Sequence, residues 1–236
     1  MEPLLVVKGL SAWYGRAQIL FDVSLEVARG EVVALMGRNG AGKSTTLKAM
    51  MGLVERTAGA VSFRGQTLRR RKPFEIARLG LGYVPEDRRI FSELSVVENL
   101  EVGKQPEREG VPTWTPEKLF RVFPNLAELR QRPGGQISGG EQQMLTVART
   151  LMGNPYLVLL DEPSEGIAPK IVEDMANMIL ELKQEGLAVV LSEQNLHFAR
   201  LVSDRAYVIE KGQVRFGGTM RELAADEEVK REYLSV

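Results

Sequence analysis

The chain of 236 residues contains no cysteine and a single histidine, His197. Disulfides, zinc–thiolate centres and thiol nucleophiles are thereby excluded. Net charge is missing as well, because 31 Lys and Arg balance 31 Asp and Glu. Such a chain is neither a general nucleic-acid binder nor a polybasic membrane binder, so no nucleic-acid partner is expected. No apolar run approaches the roughly 20 residues needed to cross a bilayer. The start, Met1-Glu2-Pro3-Leu4-Leu5, lacks a charged region and a long apolar stretch, so a signal peptide is not expected. If the chain works at a membrane, another chain must hold it there. Internal repeats and low-complexity segments are also lacking. What remains is a hydrophobic fraction of 44%, enough to fill the core of one large domain or one domain with a sub-lobe.

The most informative stretch is Gly37-Arg38-Asn39-Gly40-Ala41-Gly42-Lys43-Ser44. It fits G-x-x-x-x-G-K-[ST], the phosphate-binding P-loop. The apolar run Glu31–Met36 before it reads as a buried strand, and Thr45–Met51 after it has helical spacing. The loop therefore lies at a helix N-terminus, where free backbone N–H groups and the helix dipole attract phosphate oxygens. Lys43 supplies a positive charge for the β- and γ-phosphates, and the Ser44 hydroxyl can bind Mg²⁺.

A second apolar strand, Tyr156–Leu160, ends in Asp161-Glu162. Two carboxylates at a strand's carboxyl end are costly unless they hold a cation or polarise a reactant. Beside a P-loop, Asp161 is the expected Mg²⁺ partner and Glu162 is placed to deprotonate an attacking water. Ser138-Gly139-Gly140-Glu141 has capping-box spacing before a helix from Gln142 to Met152. It reads equally as an ordinary glycine-flanked helix start or as a second phosphate seat. Tyr14 either stacks on a base or packs at a strand end.

The remaining segments alternate strands and helices. Strands are predicted at Leu4–Val7, Ile19–Val27, Val61–Phe63, Leu81–Val84, Ala188–Leu191, Ala206–Ile209 and Val214–Phe216. A short helix is expected at Pro73–Arg78, after the basic cluster Arg69–Lys72, which reads as a solvated face. Residues 95–151 look helical apart from a loop at Gly103–Pro116, and Ile171 to Leu182 form a helical stripe closed by Gly186. A terminal helix is expected from Asp226.

Tyr14, the P-loop, Glu86, Ile137-Ser138-Gly139-Gly140-Glu141 and Asp161-Glu162 follow one another in an order that resembles the ATP-binding subunits of ABC transporters. The resemblance spans nearly the whole chain. It implies an α/β P-loop NTPase core, mostly parallel, with an antiparallel β subdomain and a helical sub-lobe. One domain would span 1–236, with 1–94 and 152–236 forming the core and β parts and about 95–151 the sub-lobe. It implies ATP and Mg²⁺ as cofactors. Tyr14 would stack on adenine, and Gly37, Arg38, Asn39, Gly40, Ala41, Gly42, Lys43, Ser44 and Thr45 would hold the phosphates. Ser138, Gly139, Gly140 and Glu141 would cap the ATP of an opposite subunit. Ser44 and Asp161, with Glu86 as a further candidate, would serve Mg²⁺, and Glu162 and Gln194 would be catalytic.

The chain departs from the family pattern where Glu86 replaces a usual Gln, Ala168 a usual Asp and Gln194 the usual switch His. His197, three residues on, reads as a bystander. These departures, with Val84–Phe91, Ser138–Leu145 and Ser192–Asn195, look like the LivF-type ATPases of branched-chain amino acid importers. The urea and short-chain amide importers are close relatives that Glu165-Gly166-Ile167 does not separate. The implied partners are two transmembrane permeases, a second LivG-type ATPase or a second copy of this chain, and a periplasmic solute-binding protein. The implied location is peripheral, at the cytoplasmic face of the inner membrane. A soluble ABC ATPase of DNA repair or translation is the contrasting reading. Roughly 95 residues between Lys43 and Ser138, without cysteine or heptads, leave no room for the insertion of the repair members.

Overall fold

A computed structural model describes residues 3–234; Met1 and Glu2, read above for a signal peptide, lie outside them. The chain opens with β1 (Leu5–Tyr14) and β2 (Ala17–Val27), an antiparallel hairpin closed by Gly15-Arg16. Strand β3 (Val32–Met36) leads through the P-loop into helix α1 (Lys43–Met50). Strands β4 (Arg56–Phe63) and β5 (Gln66–Thr67), helix α2 (Pro73–Arg78) and strand β6 (Leu81–Val84) follow. A helical run comes next: α3 (Val96–Gly103), α4 (Pro116–Val122), α5 (Pro124–Glu128) and α6 (Gly139–Leu151). The last part alternates β7 (Leu157–Asp161), α7 (Pro169–Gln184), β8 (Ala188–Glu193) and α8 (Leu196–Val202). It ends with β9 (Arg205–Glu210), β10 (Gln213–Thr219), α9 (Met220–Ala225) and α10 (Glu227–Val229).

Two sheets form. The larger has the order β10-β9-β3-β8-β7-β6, parallel except for β10. The smaller is antiparallel, in the order β2-β1-β4-β5. The continuous apolar run of β3 is explained by burial on both faces, since side chains alternate across a strand. Val32, Ala34 and Met36 join one core with Met144, Val147, Met175 and Ile179 of α6 and α7. Val33 and Leu35 point the other way, into a core with Leu20, Val23 and Leu47. Strands β7 and β8 divide in the same manner, Val158, Leu160, Val189 and Leu191 to one side and Leu157, Leu159, Ala188 and Val190 to the other. Each such Val, Leu, Ile or Met side chain contributes about 1.5–3 kcal/mol over an exposed one.

Several strands run further than their sequence patterns suggest, β1 and β4 the most, with β10 reaching Thr219 and β2 starting at Ala17. β1 continues to Tyr14 through register shifts after Val7, Leu10 and Ala12, and across the first the buried positions change from Leu5 and Val7 to Leu10 and Ala12, which breaks the alternation. β4 begins at Arg56 because its exposed, small-residue half pairs with β1, Ala58 opposite Ser11 and Thr57 opposite Ala12. Helix α9 follows a capping box, Thr219 with Glu222, whose spacing is visible in the chain. No helix among the described residues is long and apolar enough to cross a membrane.

Candidate active site

Strands β3, β8 and β7 are neighbours and parallel, so their carboxyl ends lie together. Met36 is opposite Glu193, and Ser192 is opposite Asp161. Residues 157 positions apart in the chain (36 and 193) thereby meet at one edge, where open α/β sheets bind ligands. The P-loop crosses this edge. Arg38, Asn39 and Gly40 are exposed, Ser44 and Thr45 are half-buried, and Ala41, Gly42 and Lys43 are buried. Gly37 and Gly42 have φ of 155° and 112°. A Cβ at Gly37 would strike the Ile209 carbonyl, and one at Gly42 would lie 2.9 Å from Leu20. The loop needs these glycines for packing against β9 and β2 as well as for its path.

The Lys43 ammonium uses all of its donors within the loop's surroundings. It donates to the carbonyls of Gly37 at 2.8 Å and Arg38 at 3.1 Å, and it pairs with Glu162 Oε1 at 3.0 Å. Both members of that pair are nearly sealed from solvent, with side-chain exposures of 3% and 9%. Ser44 Oγ donates to Asp161 Oδ1 at 2.8 Å, joining α1 to the end of β7.

Asp161 is 1% exposed. Its carboxylate also accepts from Ser192 Oγ at 2.8 Å and from Tyr83 OH at 3.0 Å. Burial and the Asp161 carboxylate push the Tyr83 phenol well above its ordinary value, so it stays a donor. These partners are neutral hydroxyls, so a buried carboxylate beside a phosphate loop is left without a cation of its own. That fits Mg²⁺, which binds one or two protein oxygens and takes its other ligands from phosphates and water. No cluster of three or more His, Cys, Asp or Glu that could cage a metal occurs among the described residues.

Glu162 follows at φ 46°, a left-handed turn that carries its side chain back to Lys43. Its amide donates to Ser192 Oγ at 3.0 Å and to the Ser192 carbonyl at 3.2 Å. Burial pushes its carboxyl up, but hydrogen bonds from Glu165 and Lys43 outweigh this and hold it below the usual range. An ionised, nearly buried carboxylate in this position can accept a proton from water.

The other residues expected from the sequence lie around this centre. Tyr14 is 48% exposed at the β1–β2 turn. Glu86 is exposed on the loop after β6, near enough to Glu165 to raise that carboxyl. Gln194 is exposed just beyond β8, and its Nε2 donates to Glu165 Oε2 at 3.4 Å. His197 is exposed in the first turn of α8. Ser138 caps α6: its Oγ accepts from the Glu141 amide at 3.3 Å, and Glu141 Oε2 accepts from the Ser138 amide at 2.6 Å. The amides of Gly139 and Gly140 have no acceptor within the helix. The neighbours of these glycines are the Arg88 guanidinium and Ile171.

Sequence reasoning gave no role to Tyr83 and Ser192, which donate to Asp161, or to Glu193. Glu193 is 2% exposed and accepts from the amides of Ser164 at 3.2 Å and Asn195 at 3.3 Å. It thereby ties the loop after β7 to the loop after β8. Burial raises its carboxyl above the ordinary value. A glutamate at the end of an apolar strand was the available signal, but only the neighbouring loop gives it a purpose.

Comparisons with known proteins agree with this geometry. A family model described as ABC transporter matches residues 20–165. The branched-chain amino acid transport ATP-binding protein BraG of Pseudomonas aeruginosa is 41% identical, over 95% of this chain and 97% of that protein. The lipopolysaccharide export ATP-binding protein LptB of Escherichia coli is 37% identical, over 98% of this chain and 96% of that protein. Among solved structures, the ADP conformation of an ATP-binding cassette of an ABC transporter superposes with a TM-score of 0.81. It has 26% identity and covers 98% of both chains. With the P-loop, the strand-end acids and the capped glycines in one fold, and with matches over nearly its full length, this chain belongs to the ABC transporter family of ATP-binding cassettes.

Proposed function

We propose that this chain is the ATP-binding and hydrolysing subunit of an ABC importer of branched-chain or other hydrophobic amino acids. The observation that carries the ATPase part is the meeting of Lys43 and Ser44, at the start of α1 after β3, with Asp161 and Glu162 at the carboxyl end of β7. The P-loop amides and Lys43 bind the β- and γ-phosphates, and Tyr14 offers its exposed ring to adenine. Ser44 and Asp161 are the residues that would hold Mg²⁺, which supplies charge neutralisation at the phosphates when bound. Glu162 takes the proton of the attacking water, and Gln194 donates to a phosphate oxygen. The free amides of Gly139 and Gly140 face a γ-phosphate presented by a second cassette, so two subunits close over two nucleotides. ATP binding favours the closed pair and hydrolysis releases it. One domain spans the chain, with the segment from about 95 to 151 as the sub-lobe carrying the signature.

A groove of about 620 Å³ supports a permease partner. It is lined by Met51, Leu53, Phe74, Tyr83, Phe91 and Val102, of which Leu53, Phe74, Phe91 and Val102 are large and exposed. Unpartnered apolar side chains of this kind mark an interaction surface. Tyr83 lines the groove and reaches Asp161, giving a seated permease a direct contact with the nucleotide site. The full assembly is two permeases, a second ATPase of the LivG type or a second copy of this chain, and a periplasmic binding protein. The chain sits peripherally at the cytoplasmic face of the membrane.

The amino acid assignment is supported by the likeness to BraG. The likeness to LptB supports a second reading, the same motor driving lipopolysaccharide export, and the amide importers remain a third. Uptake of labelled leucine and of labelled urea separates them, in cells lacking the chain and complemented with wild type or Lys43→Ala. Leucine uptake restored only by wild type supports the proposal. Loss of urea uptake alone moves the chain to the amide branch. Unchanged uptake of both, with lipopolysaccharide missing from the outer surface, overturns the importer in favour of export.

A further inference from the structure

We propose that Glu165 is a positioning residue for hydrolysis, linking Gln194 to the base Glu162 in place of a switch histidine. The inference rests on the ATPase reading above and adds a residue to it.

Backbone geometry brings Glu165 to this post. Glu162 at φ 46° starts a tight turn, closed by the Glu165 amide donating to the Glu162 carbonyl at 3.2 Å. Gly166, at φ 65°, then carries the chain away. The turn folds Glu165 back towards Glu162, close enough for each carboxyl to shift the titration of the other. From the other strand end, Gln194 Nε2 donates to Glu165 Oε2 at 3.4 Å. The buried Glu193 holds the amides on both sides of this contact, Ser164 on one loop and Asn195 on the other. Glu165 and Gln194 thus face each other across a clasped pair of loops. A chain of polar contacts runs Gln194–Glu165–Glu162–Lys43.

The chemistry explains why a carboxyl is useful here. Gln194 has an amide that can reach a phosphate oxygen, but its long side chain is exposed and free to turn. An acceptor at Glu165 limits the amide's orientations, and the same carboxyl limits those of Glu162. When ATP draws Lys43 towards the phosphates, Glu162 loses its ammonium partner, and Glu165 remains to hold the base. The role needs one donor and one acceptor, which a Gln at position 165 also supplies. It does not need a proton to leave Glu165.

The test uses the purified full chain with MgATP and reads both steady-state hydrolysis and binding of a fluorescent ATP analogue. Glu165→Ala is expected to lower kcat about tenfold or more, with KM and analogue affinity within about threefold of wild type. Glu165→Gln is expected to recover most of that loss. In a double-mutant cycle, Glu165→Ala with Gln194→Ala should be no slower than the worse single variant, because both remove one link. Thermal melts of each variant without nucleotide separate misfolding from the effect, and the rescue by Glu165→Gln stands independently of the alanine variant's stability. The proposal is overturned by unchanged kcat in Glu165→Ala. It is equally overturned by Glu165→Gln as slow as Glu165→Ala, or by a double variant whose loss is the product of the single losses. Wild type that neither binds nor hydrolyses ATP would instead remove the ATPase reading on which the proposal rests.

Discussion

Glu162→Gln should raise the affinity for ATP while stopping its hydrolysis. In the unliganded chain Lys43 is held by Glu162 at 3.0 Å as well as by the carbonyls of Gly37 and Arg38. ATP must draw this ammonium away. At 3.0 Å and an effective dielectric of about 20, the gross attraction is about 5–6 kcal/mol. Desolvation of two buried ions cancels most of that. The quantity that matters is the difference between a charge-assisted and a partly neutral hydrogen bond, about 1–2 kcal/mol. Neutralising Glu162 removes this competitor for Lys43 and leaves the two carbonyls in place. Affinity for ATP should then rise about 5- to 30-fold, while loss of the base lowers kcat by about 100-fold or more. The unliganded variant should also lose about 1–2 kcal/mol of stability. For a chain of this size that is a melting temperature about 2–8 °C lower. Equilibrium binding of a fluorescent ATP analogue and scanning fluorimetry without nucleotide measure both effects. Unchanged or weaker binding by Glu162→Gln, in a folded protein, would refute the idea that the Lys43–Glu162 pair competes with nucleotide.

Three further outcomes follow from particular contacts. Tyr14→Ala should weaken ATP binding by about 1–3 kcal/mol, the worth of one base–aromatic stack; because Tyr14 is half exposed, its melting temperature should hardly move, and Tyr14→Trp should bind normally. Ser192→Ala leaves Asp161 without one donor and the Glu162 amide without one acceptor; calorimetry or denaturant melts should show a loss of about 1–3 kcal/mol. Glu165 has its carboxyl pushed up from 4.5 to about 7 by its hydrogen bond to Glu162, then by burial and the charges of Glu162 and Glu86. A raised carboxyl stabilises the fold below its unfolded value and loses that contribution as pH rises through its folded value. The melting temperature of wild type relative to Glu165→Gln should therefore fall between pH 4.5 and about 7, measured without nucleotide; a flat difference across that window would count against the shared hydrogen bond.

Legibility in the chain followed the range of the interaction. The P-loop could be read because its strand, glycines, lysine and helix are adjacent in sequence, and the glycines' positive φ is a local demand. The cap at Ser138 could be read because a capping box spans four residues. Strands β3, β7 and β8 could be read from continuous apolar runs, since burial on both faces leaves no other composition. The full length of β1 could not, because its bulges interrupt the alternation that signals a strand.

By itself, then, the sequence determined a P-loop with its helix, the strand-end acids, the capped Ser-Gly-Gly turn and the alternation of buried strands with amphipathic helices. It also supplied the order of motifs that marks the family. Only the tertiary structure decided which hydroxyls surround Asp161, that Lys43 is held by Glu162, that Glu193 clasps two loops, and that Glu165 faces Gln194. Each of these joins segments distant in the chain, from 29 to 119 residues apart (165 to 194; 43 to 162). Periodicity and capping express what a residue requires of its near neighbours. The partner of a polar side chain across a sheet is set by strand order and register, which emerge only when the packed core brings β3, β8 and β7 side by side.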